Sequence, residues 1–146
     1  GDHRDLHSFP TTTLFRSPEQ QIWSGPVIML FAPGEMGELG IAPRHSPLLT
    51  ALKPGEVRIR DPHHQETSFF ISGGVMEVQP HMITILADTA IRADDLDEAA
   101  ALEAKQRAED AMADRQSEMD FARAKAELAE LAAMVETIKK VRSRKS

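Results

Sequence analysis

The sequence contains no cysteine, and this absence excludes two kinds of structure. Without thiols the chain has neither a disulfide framework nor a thiolate-ligated metal site. It also has no apolar run long enough to cross a bilayer and no visible signal peptide. Together these absences favour a protein of the reducing cytoplasm.

Positive charge is also scarce. Seventeen lysines and arginines face 23 aspartates and glutamates, so the formal net charge is −6. A protein that binds nucleic acid usually needs an excess of cations, because it neutralises phosphates. The composition therefore argues against a nucleic-acid partner.

Glycine and proline are absent from residue 94 onwards, where alanine dominates instead. Before that point, both residues recur between short β-prone segments. The sequence therefore predicts an α+β chain, with an N-terminal antiparallel β-sandwich over residues 11–91 and a C-terminal antiparallel two-helix hairpin over residues 92–146. Residues 1–10 are polar and lack an initiator methionine, so we expect a disordered arm or a remnant of expression.

The expected strands are short and are separated by turn residues at regular intervals. Gly73-Gly74 lies between two apolar segments, which indicates a hairpin or a bulge. The segments predicted as strands are Thr11–Phe15, Val27–Phe31, Glu56–Arg60, Thr67–Ser72, Val75–Gln79 and Met82–Leu86.

The alanine-rich part predicts a first helix from about Leu96 to Ala113, an interruption at 114–119, and a second helix from near Asp120. Asp94 or Asp95 suits the N-cap, and further acids in the first turn (Asp97 and Glu98) complement the helix dipole.

Apolar residues of the second helix recur at alternating spacings of three and four, which is a heptad pattern. We call this set the hairpin seam: Phe121, Ala124, Leu128, Leu131, Val135 and Ile138. The first helix would face it with alanines at 101, 104, 108 and 111. Because burial contributes about 25 cal/mol per Å² of apolar surface, an alanine-lined pair is weakly held. The hairpin therefore needs a partner surface, and from sequence it is equally a fixed element or one that detaches.

The segment Gly34–Leu49 is predicted to be a surface loop, because three glycines and two prolines punctuate it. Leu39, Ile41, Leu48 and Leu49 would anchor this loop to the core. Glu38 and His45 would then face outward. They could form a general acid/base pair, but the interpretation that we favour is a loop shaped for contact with another protein.

The remaining polar candidates do not form a catalytic constellation. His63-His64 lies in a turn, and neighbours in sequence rarely converge on one metal ion, so we expect neither a metal nor a cofactor. His81 is expected in another solvated turn. Trp23 is expected to be a packing anchor. We therefore predict that the chain is not an enzyme.

Acidic and basic residues are unevenly distributed along the hairpin. Residues 92–136 hold thirteen acids and six bases, whereas the last eight residues hold five bases and no acid. One interpretation is complementation of the helix dipole. The other is a cationic end that meets an acidic surface, formed by Lys139, Lys140, Arg142, Arg144 and Lys145.

Several of these segments closely resemble the epsilon subunits of the bacterial rotary F-type ATP synthases. The likeness runs from about Thr11 to the C-terminus, and the first residues match nothing in that family. It is carried by Glu19-Gln20-Gln21 with Ser24-Gly25, by GELGIAPRHSPLLTALKPGEVRI (37–59), by ISGGVMEVQP (71–80), by ILADTAIRADDLDEA (85–99) and by the alanine-rich hairpin.

The resemblance implies a rotor subunit that joins the gamma subunit to the c-ring. Glu38 matches a position facing the c-ring, and His45 matches one facing gamma. The hairpin would inhibit ATP hydrolysis when it extends to the alpha and beta subunits, with its basic end near their acidic segments. The protein would lie peripherally on the cytoplasmic face of the bacterial inner membrane. The alternative is a free-standing sandwich that binds a protein partner, with the hairpin as a fixed docking element.

Some members of that family bind ATP through a motif of the form (I/L)-D-x-x-R-A. Here the corresponding residues are Leu96, Asp97, Ala100 and Ala101, so alanine stands where the motif has arginine. Loss of this cation removes a phosphate partner. The sequence therefore implies weak ATP binding at most.

Overall fold

A computed structural model describes residues 11–113 and 118–145. The expected N-terminal arm, residues 1–10, lies outside the described residues, as does most of the predicted interruption at 114–119. The strands are β1 Thr11–Arg16, β2 Gln21–Val27, β3 Met29–Gly34, β4 Gly37–Ile41, β5 Leu48–Leu52, β6 Gly55–Arg60, β7 Glu66–Ile71, β8 Gly74–Gln79, β9 Met82–Ala87 and β10 Ala90–Arg92. A 3-10 turn, Ala93–Asp95, leads to α1 Glu98–Ala113 and α2 Glu118–Lys145.

The strands are hydrogen-bonded in the order β10-β7-β6-β3-β5-β8-β9-β1-β2, with β4 added to β3. β1 and β9 are parallel and the other pairs are antiparallel, so the predicted antiparallel sandwich contains one parallel contact. β3 joins the two halves of the sheet, because it pairs with β6 near its start and with β5 only at Gly34.

The two halves face each other across one hydrophobic core. Phe15 of β1 and Phe69 of β7 lie at distant places in the strand order, yet their rings meet edge to face with centroids 5.1 Å apart. Such aromatic pairs are favourable beyond the area that they bury. Around them pack alternate residues of the strands, including Leu30, Ile59 and Ile85, all buried. Trp23 is half-buried at the edge of this core, which confirms its role in packing.

The prediction of one continuous loop over Gly34–Leu49 is wrong, because half of the segment belongs to strands. β3 and β4 pair from Leu30↔Ile41 to Gly34↔Gly37 and enclose a two-residue turn. Gly37 occupies a positive φ of 136°, which a residue with a side chain rarely adopts. The loop itself is confined to residues 42–47.

The anchors of this segment are confirmed in part. Ile41 is buried, and Leu39 and Leu48 are half-buried against the core. Leu49 is 70% exposed, because it lies on the opposite face of β5 from the core.

Two other strand predictions also need correction. The apolar run Val27–Phe31 is divided between β2 and β3, since Val27 pairs with Thr11 and Met29 pairs with Arg60 on the other half of the sheet. Gly73-Gly74 does not close a hairpin, because β7 pairs with β6 and β10 whereas β8 pairs with β5 and β9. A Cβ on Gly74 would lie 2.3 Å from the Leu86 carbonyl oxygen, so close strand approach requires glycine there.

The two helices form the antiparallel hairpin that the heptad pattern predicts. Ala101 of α1 packs with Val135 and Ile138 of α2 in a small cluster of buried residues. Ala108 and Ala124 are buried as well, whereas Ala111 is exposed, so the predicted alanine face of α1 ends before it.

The start of α1 differs from the prediction by two residues. Asp94 and Asp95 lie in the 3-10 turn, and Asp97 provides the cap: its Oδ1 accepts the Ala100 N–H at 3.2 Å. An N-cap oxygen satisfies an amide that has no partner within the helix. The helix therefore begins at Glu98 rather than at Leu96.

Candidate interaction surfaces

The sheet presents its first candidate surface on the β3–β4 hairpin. Glu38 of β4 lies opposite Pro33 of β3 and is exposed. Its neighbours Leu39 and Ile41 point toward the core, because side chains alternate along a strand. Glu38 is therefore held outward by a strand, and not by a loop.

His45 lies in the loop 42–47, immediately after Arg44, whose φ is 63°. Its Nδ1 donates to the Ser46 carbonyl oxygen at 2.7 Å, which orients the half-exposed ring. The left-handed conformation of Arg44 is uncommon for a residue other than glycine, so the turn is tightly defined. The hydrogen bond engages Nδ1 with the backbone of the same loop, whereas Glu38 belongs to a different element, β4.

An exposed apolar face, which the sequence reasoning missed, lies on the outer side of β5, β8 and β9. Ala51 pairs with Val75, and Val75 pairs with Leu86, so these three side chains form one row across the strands. Val75 is 45% exposed and Leu86 50% exposed, and the exposed Leu49 lies on the same face of β5 as Ala51. Contiguous exposed apolar residues often mark a protein contact. Their alternation with buried residues in each strand was the signal for it.

The third candidate surface is the end of α2, which lies on the outer face of β6 and β7. Arg144 forms an ion pair with Glu56 of β6, and Arg142 forms one with Glu98 of α1. Two of the five bases predicted as a cationic end are therefore paired within this chain. Lys139 and Lys140 are exposed, and the side chain of Lys145 lies outside the described residues.

Glu56 is the carboxylate that the sequence reasoning missed. Its side chain is only 6% exposed, although its place in β6 puts it on the outer face, opposite Phe70 of β7. Phe70 is also buried, 1% exposed, on that outer face. Because side chains alternate along a strand, both residues would be expected to face solvent. They are buried because α2 covers them.

More charges surround the end of α2. Arg60 Nε lies 2.9 Å from Glu66 Oε2, and this hydrogen bond is the main reason why the pKa of Glu66 is lowered. Arg58 and Arg144 lower it further, while burial opposes them. A cleft of about 310 Å³, lined by Arg92, Arg144 and polar residues of β7, remains between the sheet and α2. The helix therefore meets the sheet through charged groups with room for water.

The residues at the positions of the ATP motif make contacts within the chain itself. Asp97 caps α1, Ala101 is buried in the hairpin cluster, and Ala100 is exposed. Arg142 lies with Leu96, Asp97 and Glu98 around a shallow depression, where it pairs with Glu98. A cation is thus present near the motif, but a carboxylate of the same chain already holds it.

The histidine pair lies in an exposed turn between β6 and β7. Asp61 Oδ1 accepts the backbone N–H groups of His63 and Gln65, at 2.8 and 3.0 Å. Within residues 11–113 and 118–145, no group of three or more histidines, cysteines or acids is placed to hold a metal ion. Neither described helix has a stretch that is long and apolar enough to cross a membrane.

Comparison with known proteins gives matches over both parts of the fold. Residues 14–93 match the family described as the ATP synthase delta/epsilon chain β-sandwich domain, and residues 94–134 match its long α-helix domain. The ATP synthase epsilon chain of Nitrosococcus oceani is 61% identical over 128 residues, which are 88% of this chain and 91% of that one. The epsilon chain of Acinetobacter baumannii is 54% identical over 88% of this chain and 92% of its own length.

Two solved structures share the fold at low sequence identity. A chain of the Euglena gracilis mitochondrial ATP synthase, in a structure of OSCP, F1 and the c-ring, superposes with a TM-score of 0.75 and 16% identity, over 94% of this chain and 82% of that one. A chain of the central stalk and c-ring of the Tetrahymena thermophila mitochondrial enzyme superposes with a TM-score of 0.66 and 15% identity. The match covers 88% of this chain and 96% of that one.

Glu130 of α2 provides a test of how the helix lies on the sandwich. Its pKa is raised above the ordinary 4.5, first by burial and then by the charges of Glu127 and Asp88. Asp88 belongs to the sandwich, so the protonated form favours the docked helix. The contribution is fully present below the ordinary pKa and is lost as the pH rises through the raised one.

We expect Glu130→Gln to raise the thermal midpoint of helix loss by about 1–3 °C at neutral pH, since it removes a charge that is disfavoured first by burial and then by Glu127 and Asp88. The gain should shrink at pH 4, where the wild-type carboxyl is largely protonated. Far-ultraviolet circular dichroism measures it, with Glu103→Gln on the exposed face of α1 as the control for loss of any helix acid. An equal gain at both pH values would contradict the assignment.

Proposed function

Because this chain belongs to the ATP synthase delta/epsilon chain family, we propose that it is a non-catalytic epsilon subunit of the rotor. In this role the sandwich joins the gamma subunit to the c-ring in the central stalk, and the hairpin restrains ATP hydrolysis. The subunit is then a peripheral component of a membrane-bound enzyme, on the cytoplasmic face of the bacterial inner membrane. It binds no nucleic acid and needs no cofactor.

One observation carries most weight for this proposal. The similarity to the epsilon chain of Nitrosococcus oceani extends over 88% of this chain, and the two family matches cover both the sheet and the hairpin. A shared sandwich alone would indicate only a fold, since folds host many functions. Similarity that includes the hairpin supports the same division of labour in both proteins.

Two faces of the sandwich suit the two partners in the stalk. Glu38 is exposed at the β3–β4 hairpin, where it is available to polar or basic groups of the c-ring. His45 lies in the loop that leads into β5, and β5 carries part of the exposed apolar face with Leu49. We assign that face, together with His45, to gamma, because a lasting subunit contact buries apolar area.

Glu38→Lys tests the c-ring assignment. Reversal of the charge should weaken the coupling of proton flow to ATP synthesis, while the isolated subunit stays folded because the side chain is exposed. Proton pumping and ATP synthesis in membrane vesicles measure the effect, and Glu19→Lys, exposed between β1 and β2, is the matched control. Equal coupling in Glu38→Lys and wild type would count against the assignment.

The hairpin suits a regulatory role because it is loosely integrated with the sandwich. Its buried cluster, built on Ala101, Val135 and Ile138, is separate from the sandwich core. A two-state element is biased by whichever surface binds it better. In the extended state, the bases at the end of α2 would meet acidic segments of the alpha and beta subunits.

Removal of residues 92–146 should raise ATP hydrolysis by the complete enzyme, and synthesis should change less because the sandwich still closes the rotor. Deletion of 139–146, or reversal of Lys139, Lys140 and Arg142 to glutamate, should give a smaller rise in the same direction. Steady-state hydrolysis by purified enzyme measures this, with the wild-type subunit added back as control. Flat hydrolysis after full removal would make the hairpin a structural brace.

ATP binding is expected to be weak or absent. Ala100 supplies no phosphate partner, and Arg142 is paired with Glu98 beside the motif. The isolated chain should therefore show no saturation at about millimolar nucleotide. A dissociation constant in that range corresponds to a binding free energy of only about −4 kcal/mol. Ala100→Arg should tighten whatever binding exists, as measured by calorimetry or an NMR titration, with Ala99→Arg as the neighbouring control. Micromolar affinity of the wild-type chain would overturn this expectation.

A further inference from the structure

We propose that two ion pairs at the end of α2 hold the hairpin on the sandwich, and that the Arg144–Glu56 pair is the one that controls its release. We call Arg144–Glu56 and Arg142–Glu98 the terminal ion pairs. Residues two apart on a helix point in nearly opposite directions, since each residue turns the helix by about 100°. One turn of α2 can therefore bind β6 on one side and α1 on the other.

The two pairs differ in burial, and this decides which of them matters. The Glu56 side chain is 6% exposed and Arg144 is 37% exposed, whereas Glu98 is 24% exposed and Arg142 is 66% exposed. The more exposed pair contributes less to stability. A buried carboxylate that loses its cation is strongly disfavoured, so loss of Arg144 has a larger effect than loss of Arg142.

The rest of the docked interface combines apolar and polar groups. The face of α2 turned to the sheet follows positions 130, 134, 137, 141 and 144, at helical spacing. In order, these are Glu130, whose charge opposes Asp88, the half-buried Met134, the buried Thr137, Val141 and Arg144. Thr137 donates its hydroxyl to the carbonyl of Ala133 in its own helix, at 2.9 Å, so this donor is not used for the sheet.

Phe70 links the ion pair to the exposure of apolar surface. It is the cross-strand partner of Glu56 and is 1% exposed on the outer face. When α2 leaves, Phe70 becomes exposed and Glu56 regains water. Burial of Phe70 therefore stabilises the docked state, and dehydration of Glu56 destabilises it. The ion pair with Arg144 offsets the cost of dehydration.

A second consequence rests on the proposed function. Arg142 and Arg144 belong to the basic end that we assign to the alpha and beta subunits, yet in the docked chain both are held by Glu98 and Glu56. Because each arginine can serve one set of carboxylates at a time, the docked and extended states compete for the same cations. Glu56 is thus a positioning residue for the hairpin, acting through Arg144.

The first experiment uses the full chain alone and therefore does not depend on the enzyme complex. The chain has no cysteine, so single cysteines can replace two exposed residues, His63 in the β6–β7 turn and Ala129 on α2, for spin labels. The distance distribution between the labels gives the undocked fraction. Hydrogen exchange of amides in β8 and β9 serves as the control that the sandwich remains folded.

Arg144→Gln should raise the undocked fraction about tenfold or more, because it leaves a buried charge uncompensated. Arg142→Gln, the matched control two residues away, should change it less than about twofold. The double variant Arg144→Gln with Glu56→Gln should recover docking relative to Arg144→Gln alone, since no buried charge then remains. Equal effects of the two single arginine variants, or a double variant less docked than Arg144→Gln, would overturn the proposal.

The second experiment separates this inference from the proposed function. In the complete enzyme, Glu56→Lys sets a second cation against Arg144 in the docked state, so it frees the hairpin while α2 keeps every cation. This variant should therefore lower ATP hydrolysis. Arg144→Gln frees the hairpin but removes a cation, so its hydrolysis should lie above that of Glu56→Lys. If the ion pairs do not hold the hairpin, Arg144→Gln will leave docking unchanged in the isolated chain. If the hairpin does not inhibit the enzyme, removal of residues 92–146 will leave ATP hydrolysis unchanged. If Glu56→Lys undocks the hairpin but does not lower hydrolysis, the competition for cations is wrong.

Discussion

The strict alternation of side chains along each strand is the constraint on which the rest of this structure depends. One face of every strand fills a core that Phe15 and Phe69 bridge, and this uses the inward positions of both halves of the sheet. The outward positions are then free for other purposes. One half leaves Leu49, Val75 and Leu86 exposed, and the other places Glu56 and Phe70 beneath α2.

The hairpin is connected to this sandwich by an ion pair as well as by the burial of Phe70. The sandwich core and the hairpin cluster are separate sets of buried residues, and a cleft of about 310 Å³ lies between sheet and helix near Arg144. A hydrophobic contact strengthens gradually with area, whereas a buried ion pair fails when one partner is lost. An interface of this kind responds strongly to a few charges, which suits an element that changes position.

The proposed function gives the end of α2 two alternative surfaces that require the same cations. The last turns of α2 concentrate cations, and the docked chain supplies carboxylates for two of them from Glu56 and Glu98. Glu130 works in the opposite direction, because its raised pKa reflects burial and the nearby Glu127 and Asp88. Attraction at one end of α2 is thus partly offset by repulsion nearer its middle.

Local patterns in the sequence determined the class of fold and most of its elements. The period of two in segments such as 56–60 and 75–79, and the heptad spacing through Val135 and Ile138, depend only on neighbouring residues. The motif around GELGI also sufficed to indicate the family. Tertiary structure decided the rest: that GELGI is a strand, that Gly73-Gly74 passes between the two halves of the sheet, and that Asp97 caps α1. It also decided that Glu56, polar and outward in its strand, is buried beneath a helix that lies 88 residues further along the chain. Strand partners and docked helices are chosen by contacts distant in sequence, and a local period carries no information about them.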